Sequence, residues 1–242
     1  SNISILNSDK YKEKLSRDEY SKKIFTNDKL FKLNDIFIQE DLGNTLLRIA
    51  KYGYREFYVG HTSQLITECM RRMGGIISSD DLLNYKPKER MPISFNYRGY
   101  TVHSMPPPSS GGITLANILN QLENISLDTL GYQSSDFVHY IVEAEKRAYA
   151  DRANYLGDTD FVDVPIKHLI SKDYAKERFL TIEPNLATDS VDLNYNNISI
   201  HDELEETTHY SIVDSYGNAV SVTYTLNGWF GNGITVDKAG FL

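Results

Sequence analysis

The sequence predicts an α+β chain, helix-rich for most of its 242 residues and ending in a β-hairpin. Three observations point there. Apolar residues recur at helical spacing between capping residues through much of the chain before residue 180. Ile93-Ser94-Phe95-Asn96-Tyr97 and Tyr100-Thr101-Val102-His103-Ser104 alternate around Arg98-Gly99, as two strands and a glycine-bearing turn do. The same period of two returns in Thr208 to Val213 and in Val220 to Thr225. Asp214-Ser215-Tyr216-Gly217-Asn218 lies between them, supplying residues that tolerate positive φ.

From the N-terminus, Ser8 to Lys23 places Tyr11, Leu15 and Tyr20 at helical spacing among charges of both signs, the pattern of a solvated helix face. Asp41 to Tyr52 is a clear helix with Leu42, Leu46, Leu47 and Ile49 as its apolar stripe and Gly53 as its stop. His61 opens another, carrying Leu65, Ile66, Cys69 and Met73 before Gly74-Gly75 ends it. A serine cap precedes the turn from Asp80 to Asn84.

Met105 to Gly112 joins three prolines, which fix an extended approach, to Ser109-Ser110-Gly111-Gly112, which opens a helix with free first amides. Such a start can bind an anion, but the phosphate-loop lysine is missing and the role is read as structural. The longest helix runs from Ser134 to Tyr155, with Phe137, Ile141, Ala144 and Ala148 on one side. Its charges, Glu143, Glu145, Lys146, Arg147, Asp151 and Arg152, read as ion pairs at helical spacing rather than an acid-base site. Ser171 to Leu180 is a short helix, and the polar stretch from Ile182 to Glu206 reads as a mobile surface segment.

Net charge is −8 with no compensating block of lysine and arginine, which disfavours nucleic acid as a partner. No apolar run is long enough to cross a bilayer, and no signal peptide is visible. Because the chain starts at Ser1, its beginning reads as a processed or artificial end, and a missing signal says nothing about export. The single cysteine, Cys69, sits in an apolar helix pattern and reads as buried; it has no partner for an internal disulfide. The six histidines show no metal-ligand spacing.

The C-terminal hairpin gathers hydroxyls. If Asp214 pairs with Ala219, Thr225 falls opposite Thr208, whereas a one-residue bulge sets it opposite Thr207; a slip of one exchanges the two strand faces. His209 reads as a structural histidine, turned away from the Thr207 face or packed beside it.

The run Thr207-Thr208-His209-Tyr210-Ser211, Gly217-Asn218, Val220, Thr223, Thr225, Asn227 and Phe230-Gly231 resembles the signature of the γ-glutamyltranspeptidases. Met105 to Gly112 and Ala144-Glu145-Lys146-Arg147-Ala148-Tyr149-Ala150-Asp151-Arg152 resemble two further segments of that family, in the same order. The resemblance implies an N-terminal-nucleophile hydrolase of the four-layer αββα sandwich class. It is made as one inactive chain that cuts itself before a threonine.

By that resemblance the cut falls between Glu206 and Thr207, and Thr207 is the nucleophile. Thr225 corresponds to the residue whose hydroxyl bonds the nucleophile, and Asn227 to one that binds the α-amino acid end of the substrate. Residues 1–206 then belong to the large subunit and 207–242 to the start of the small one, paired as a heterodimer within one structural domain. The substrate is a small γ-glutamyl compound such as glutathione, the acceptor an amine or water; no cofactor and no metal are implied. A periplasmic or extracellular place follows from the resemblance alone.

Family sequences continue beyond both ends. The arginine that grips the substrate carboxylate, the acidic amine-binding segment, the lid and the oxyanion-hole glycines have no counterpart in residues 1–242. Since one oxyanion donor is worth about 10²–10³ in rate, an isolated 1–242 chain is expected to be inactive. Alternatives are a poly-γ-glutamate or β-lactam acylase activity, or a non-catalytic, uncut relative acting in binding or assembly.

Overall fold

Glycines at positive φ and serine caps end or begin many of the helices, at the places the sequence predicts. The protein, seen here as a computed structural model, is described over residues 2–26, 30–193, 208–226 and 228–242. Its first part holds Asp9–Leu15 (α1), Glu40–Tyr52 (α2), His61–Met73 (α3) and Ser79–Asn84 (α4). Gly53 follows α2 at φ 72° and Gly74 follows α3 at φ 71°, where a residue with a Cβ would be strained. Ser78 and Asp81 cap α4 reciprocally: Asp81 N donates to Ser78 Oγ (3.2 Å) and Ser78 N to Asp81 Oδ2 (2.8 Å). The helical stretch expected from Ser8 to Lys23 is broken after Leu15, where Asp18 caps a separate turn, Glu19–Ser21.

Contacts gather into two compact units, Ser1–Pro87 with His201–Leu242, and Lys88–Ile200. Each unit has its own apolar cluster, which is why they separate. In the first, Leu65, Ile66 and Cys69 of α3 pack with Leu82, Val236 and Ala239. Cys69 is buried, as predicted. The stripe expected on α2 is covered only in part: Leu42 and Ile49 are half-buried, Leu46 and Leu47 are exposed, and Thr45 is the buried residue, its Oγ1 donating to the Ala239 carbonyl at 2.9 Å. A hydrogen bond to a chain segment far off in sequence outweighs the local apolar pattern there.

The second unit is built on an antiparallel pair, β1 (Ile93–Tyr97) and β2 (Tyr100–Ser104), in the register Ile93↔Ser104 through Tyr97↔Tyr100. Ile93 and Phe95 turn inward onto Ile113 and Ala116 of the helix Gly111–Leu122 (α5), with Val164 and Leu169. Gly112 permits the close approach at the start of α5. A Cβ there would stand 2.1 Å from the Met105 carbonyl oxygen, and backbone cannot swing aside as a side chain does. Gly112→Ala should therefore destabilise this unit by at least about 1–3 kcal/mol; an unchanged thermal midpoint would contradict that tight contact.

The helix Ser135–Tyr155 (α6) packs on α5 and on Lys172–Phe179 (α7). Its N-cap is Ser134, whose Oγ accepts from Phe137 N at 3.1 Å. Ala144, Ala148 and Ala150 are fully or almost fully buried. Small side chains let neighbouring backbone come close, and Glu143, Arg147 and Asp151 beside them are buried as well.

The α6 ion pairs are present, but the central one is not on the surface: Glu143 and Arg147 are each 1% exposed. Arg147 Nη1 donates to Glu143 Oε2 at 2.7 Å. Much of their remaining capacity goes to Thr181 and Thr188. Thr188 N and Oγ1 donate to Glu143 (3.1 and 2.5 Å), and Arg147 Nη2 donates to the Thr181 carbonyl (2.7 Å) and to Thr188 Oγ1 (3.2 Å). The segment expected to be mobile from Ile182 onward is thus tied down at Thr188, because two buried charges need its polar atoms. Residues 194–206 of that segment lie outside the described residues.

Candidate active site

A tight turn places the strand that follows position 207. β3 (Thr208–Val213) and β4 (Ala219–Tyr224) pair antiparallel, from Thr208↔Tyr224 through His209↔Thr223 to Val213↔Ala219. Asp214 therefore does not pair with Ala219, and Thr225 does not face Thr208. Asp214 belongs to the turn: its N donates to Asn218 O at 3.0 Å, and its Oδ1 accepts from Tyr216 N and Asn218 N, both at 2.9 Å. The Asn218 side-chain amide, at 2.7 Å from Oδ2, leads the contacts that hold the Asp214 carboxyl below the usual carboxylate range. Gly217 supplies the positive φ, 82°.

This register sorts the two faces. His209, Ser211, Ser221 and Thr223 share one. His209 Nδ1 lies 2.7 Å from Thr223 Oγ1, and Nε2 lies 3.3 and 3.2 Å from the hydroxyls of Ser211 and Ser221. Residues two apart on a strand look the same way, so His209 lies on the side of the ladder to which an extended Thr225 belongs, not away from it. Both ring nitrogens are engaged within the hairpin, which agrees with a structural histidine.

The other face carries Tyr210, Ile212, Val220, Val222 and Tyr224, with Tyr210 and Tyr224 edge to face at 6.5 Å. Half-buried strands are expected from the alternation. Instead the residues of both strands are exposed apart from Val222, since a two-stranded ribbon buries side chains only against a further layer.

Beyond the hairpin, the matched pair Phe230-Gly231 forms a left-handed turn, φ 62° and 53°. The Phe230 ring packs 5.8 Å from Tyr11 and 5.5 Å from Phe25, and Lys14 Nζ donates to the Trp229 carbonyl at 3.1 Å. These contacts hold a bulky residue in a conformation it rarely adopts, and they fix where the chain goes after β4.

Of the predicted site residues, Thr225 is the one within the described residues; it follows β4 directly and is exposed. Glu206, Thr207 and Asn227 lie outside them. Among the described residues, no group of three histidine, cysteine, aspartate or glutamate side chains could hold a metal ion, and no helix is long and apolar enough to cross a membrane.

The family profile described as "Gamma-glutamyltranspeptidase" matches residues 4–242. The chain belongs to the γ-glutamyltranspeptidase family. It is 47% identical over 231 residues to a protein of Escherichia coli K12 named glutathione hydrolase proenzyme, a match covering 95% of this chain and 40% of that protein. A Pseudomonas protein named acylase ACY 1 proenzyme is 38% identical over 205 residues, 85% of this chain and 36% of its own length. The crystal structure of Helicobacter pylori γ-glutamyltranspeptidase superposes with a TM-score of 0.72 at 41% identity, over 83% of this chain and 57% of that one. The chain thus spans about two fifths of the length of these two curated relatives. Its α+β class is the one the sequence predicts.

Proposed function

We propose that this chain is the nucleophile-bearing part of an enzyme that hydrolyses or transfers the γ-glutamyl group of glutathione and related compounds, after cutting itself between Glu206 and Thr207. The observation that carries the proposal is the hairpin register within the family signature. Thr208, the residue after the proposed nucleophile, pairs with Tyr224, and Thr225 follows Tyr224 directly on the neighbouring strand. A hydroxyl nucleophile needs such a neighbouring hydroxyl to bond it.

In the cut, the Thr207 hydroxyl adds to the Glu206 carbonyl and the Glu206–Thr207 C–N bond breaks, leaving an ester on the side-chain oxygen and a free α-amine. Water hydrolyses the ester, giving a carboxylate on Glu206 and restoring the hydroxyl. In turnover the same hydroxyl attacks the γ-glutamyl amide, the donor's amine leaves with a proton, and a γ-glutamyl ester remains. Water resolves that ester in hydrolysis, and an amino acid or peptide amine resolves it in transfer. The liberated α-amine is the local base. Its ordinary pKa is about 7.7–8.0, so turnover should rise with pH as that amine loses its proton.

The test is the intact gene product given a γ-glutamyl anilide, with and without a dipeptide acceptor, across pH 6 to 9. Release of the aniline that climbs between roughly pH 7 and 8, and a γ-glutamyl dipeptide product, are expected. Neither product at any pH would defeat the proposal. The acylase relative favours a second reading, a β-lactam side-chain acylase working through the same threonine ester; release of an acyl side chain from a cephalosporin, in place of γ-glutamyl turnover, would select it. The heterodimer of the two cut pieces, and export to the periplasm or cell exterior, belong to the same proposal; cell fractionation checks the latter.

A further inference from the structure

Asp18 is buried to 2% exposure in a chain segment with no part in the chemistry above. Its Oδ1 accepts from Arg72 Nη1 at 2.7 Å. Its Oδ2 accepts from Ser21 N (3.0 Å), from Ser21 Oγ (3.2 Å) and from Thr235 N (3.3 Å). Thr235, with no exposed surface, closes the circuit with its hydroxyl 2.7 Å from Ser21 Oγ. Local pattern explains only part of this. An aspartate three residues before Ser21 is an ordinary helix cap, but Arg72 and Thr235 arrive from 54 and 217 residues away.

The contacts around Asp18 continue along the last residues. Thr45 Oγ1 donates to Ala239 O at 2.9 Å. Val236 and Ala239 sit in the cluster of Leu65, Ile66 and Cys69. Gly240, at φ 78°, lies so close to α2 that a Cβ would stand 2.4 Å from Leu42 N. The segment 234–242 is therefore threaded through the N-terminal helices rather than laid on them.

We propose that Asp18, with Ser21, Arg72 and Thr235, forms the polar lock that keeps the two cut pieces together, the N-terminal piece supplying the carboxylate and the piece starting at Thr207 supplying Thr235. This rests on the proposed cut before Thr207. In the uncut chain these contacts are intramolecular, and the tether alone keeps the partners at millimolar effective concentration. Once the chain is cut, association depends on the contacts themselves. A buried carboxylate stripped of its partner, or a guanidinium stripped of its carboxylate, then weakens a true interface.

The experiment compares parent, Asp18→Ala and Thr235→Val in the intact gene product after cutting, by size-exclusion chromatography over a dilution series. An uncut Thr207→Ala background serves as the tethered control. The lock predicts that both variants are cut, and that their pieces separate at a concentration at least ten times higher than the parent's. In the uncut background the same changes should leave one folded species. Pieces of Asp18→Ala and Thr235→Val that co-elute over the parent's range would overturn the lock while leaving the cut intact. Should Asp18→Ala fail to fold even uncut, Thr235→Val decides: early separation supports the lock, parent-like retention ends it. A parent that is never cut removes both the lock and the function proposed above.

Discussion

Thr207→Ala in the intact gene product is expected to leave a single uncut chain and to abolish γ-glutamyl turnover, a loss on the order of 10⁴-fold or more. Two steps depend on the same oxygen. The first is attack on the Glu206 carbonyl, which makes the mature N-terminus; the second is attack on the substrate amide. A methyl in place of the carbinol group leaves nothing to form either ester. Thr207→Ser keeps the hydroxyl and should keep both steps, more slowly, because the β-methyl that restricts χ1 is gone. Electrophoresis scores the cut and release of the aniline from the anilide scores turnover. An alanine variant that is cut and active at the parent's level would show that another group is the nucleophile.

Glu143→Ala should cost the second unit about 3–5 kcal/mol, since it leaves the Arg147 guanidinium buried and short of its carboxylate. Thr188 would lose its two bonds to the Glu143 carboxylate at the same time. Burial by itself would raise the Glu143 carboxyl, but hydrogen bonds from Thr188, Lys146 and Arg147 outweigh it and bring it down from 4.5 to about 2. Its folded pKa is depressed, so its contribution is complete above the unfolded value and is lost as pH falls from about 4.5 towards 2. Urea unfolding of parent and variant at pH 7 and pH 3 checks both parts. The gap between them should be large at pH 7 and narrow at pH 3. A gap under about 1 kcal/mol at pH 7 would place the pair among surface ion pairs of little worth.

Much of the local structure was readable beforehand because its causes are local. Ser78, Gly53, Gly74 and the Arg98-Gly99 turn act through their own φ angles and hydroxyls, within a few residues of themselves. The α6 ion pairs were likewise visible from their spacing. What escaped were distant partners and depth. Nothing near Glu143 shows that Thr188 will return to it, and nothing near Asp18 or Thr45 shows that Thr235 and Ala239 will thread past them. The hairpin illustrates the boundary between the two. Its existence followed from alternation, but its register turned on whether Asp214 joined the ladder or folded its carboxylate into the turn. The Asp214 bonds to Tyr216 and Asn218 decided for the turn. That single step moves Thr225 off Thr208 and sets His209 opposite Thr223, on the side of the ladder that leads to Thr225. The chemistry itself was visible only as a family signature, since a threonine-rich hairpin without that signature is most often a pleated surface and no more.

Intact-mass and N-terminal analysis of the purified, full-length gene product tests the central claim most directly. Two polypeptides are predicted, one ending at Glu206 and the other beginning with the free amine of Thr207. One undivided chain, or a new N-terminus at any other residue, would contradict it.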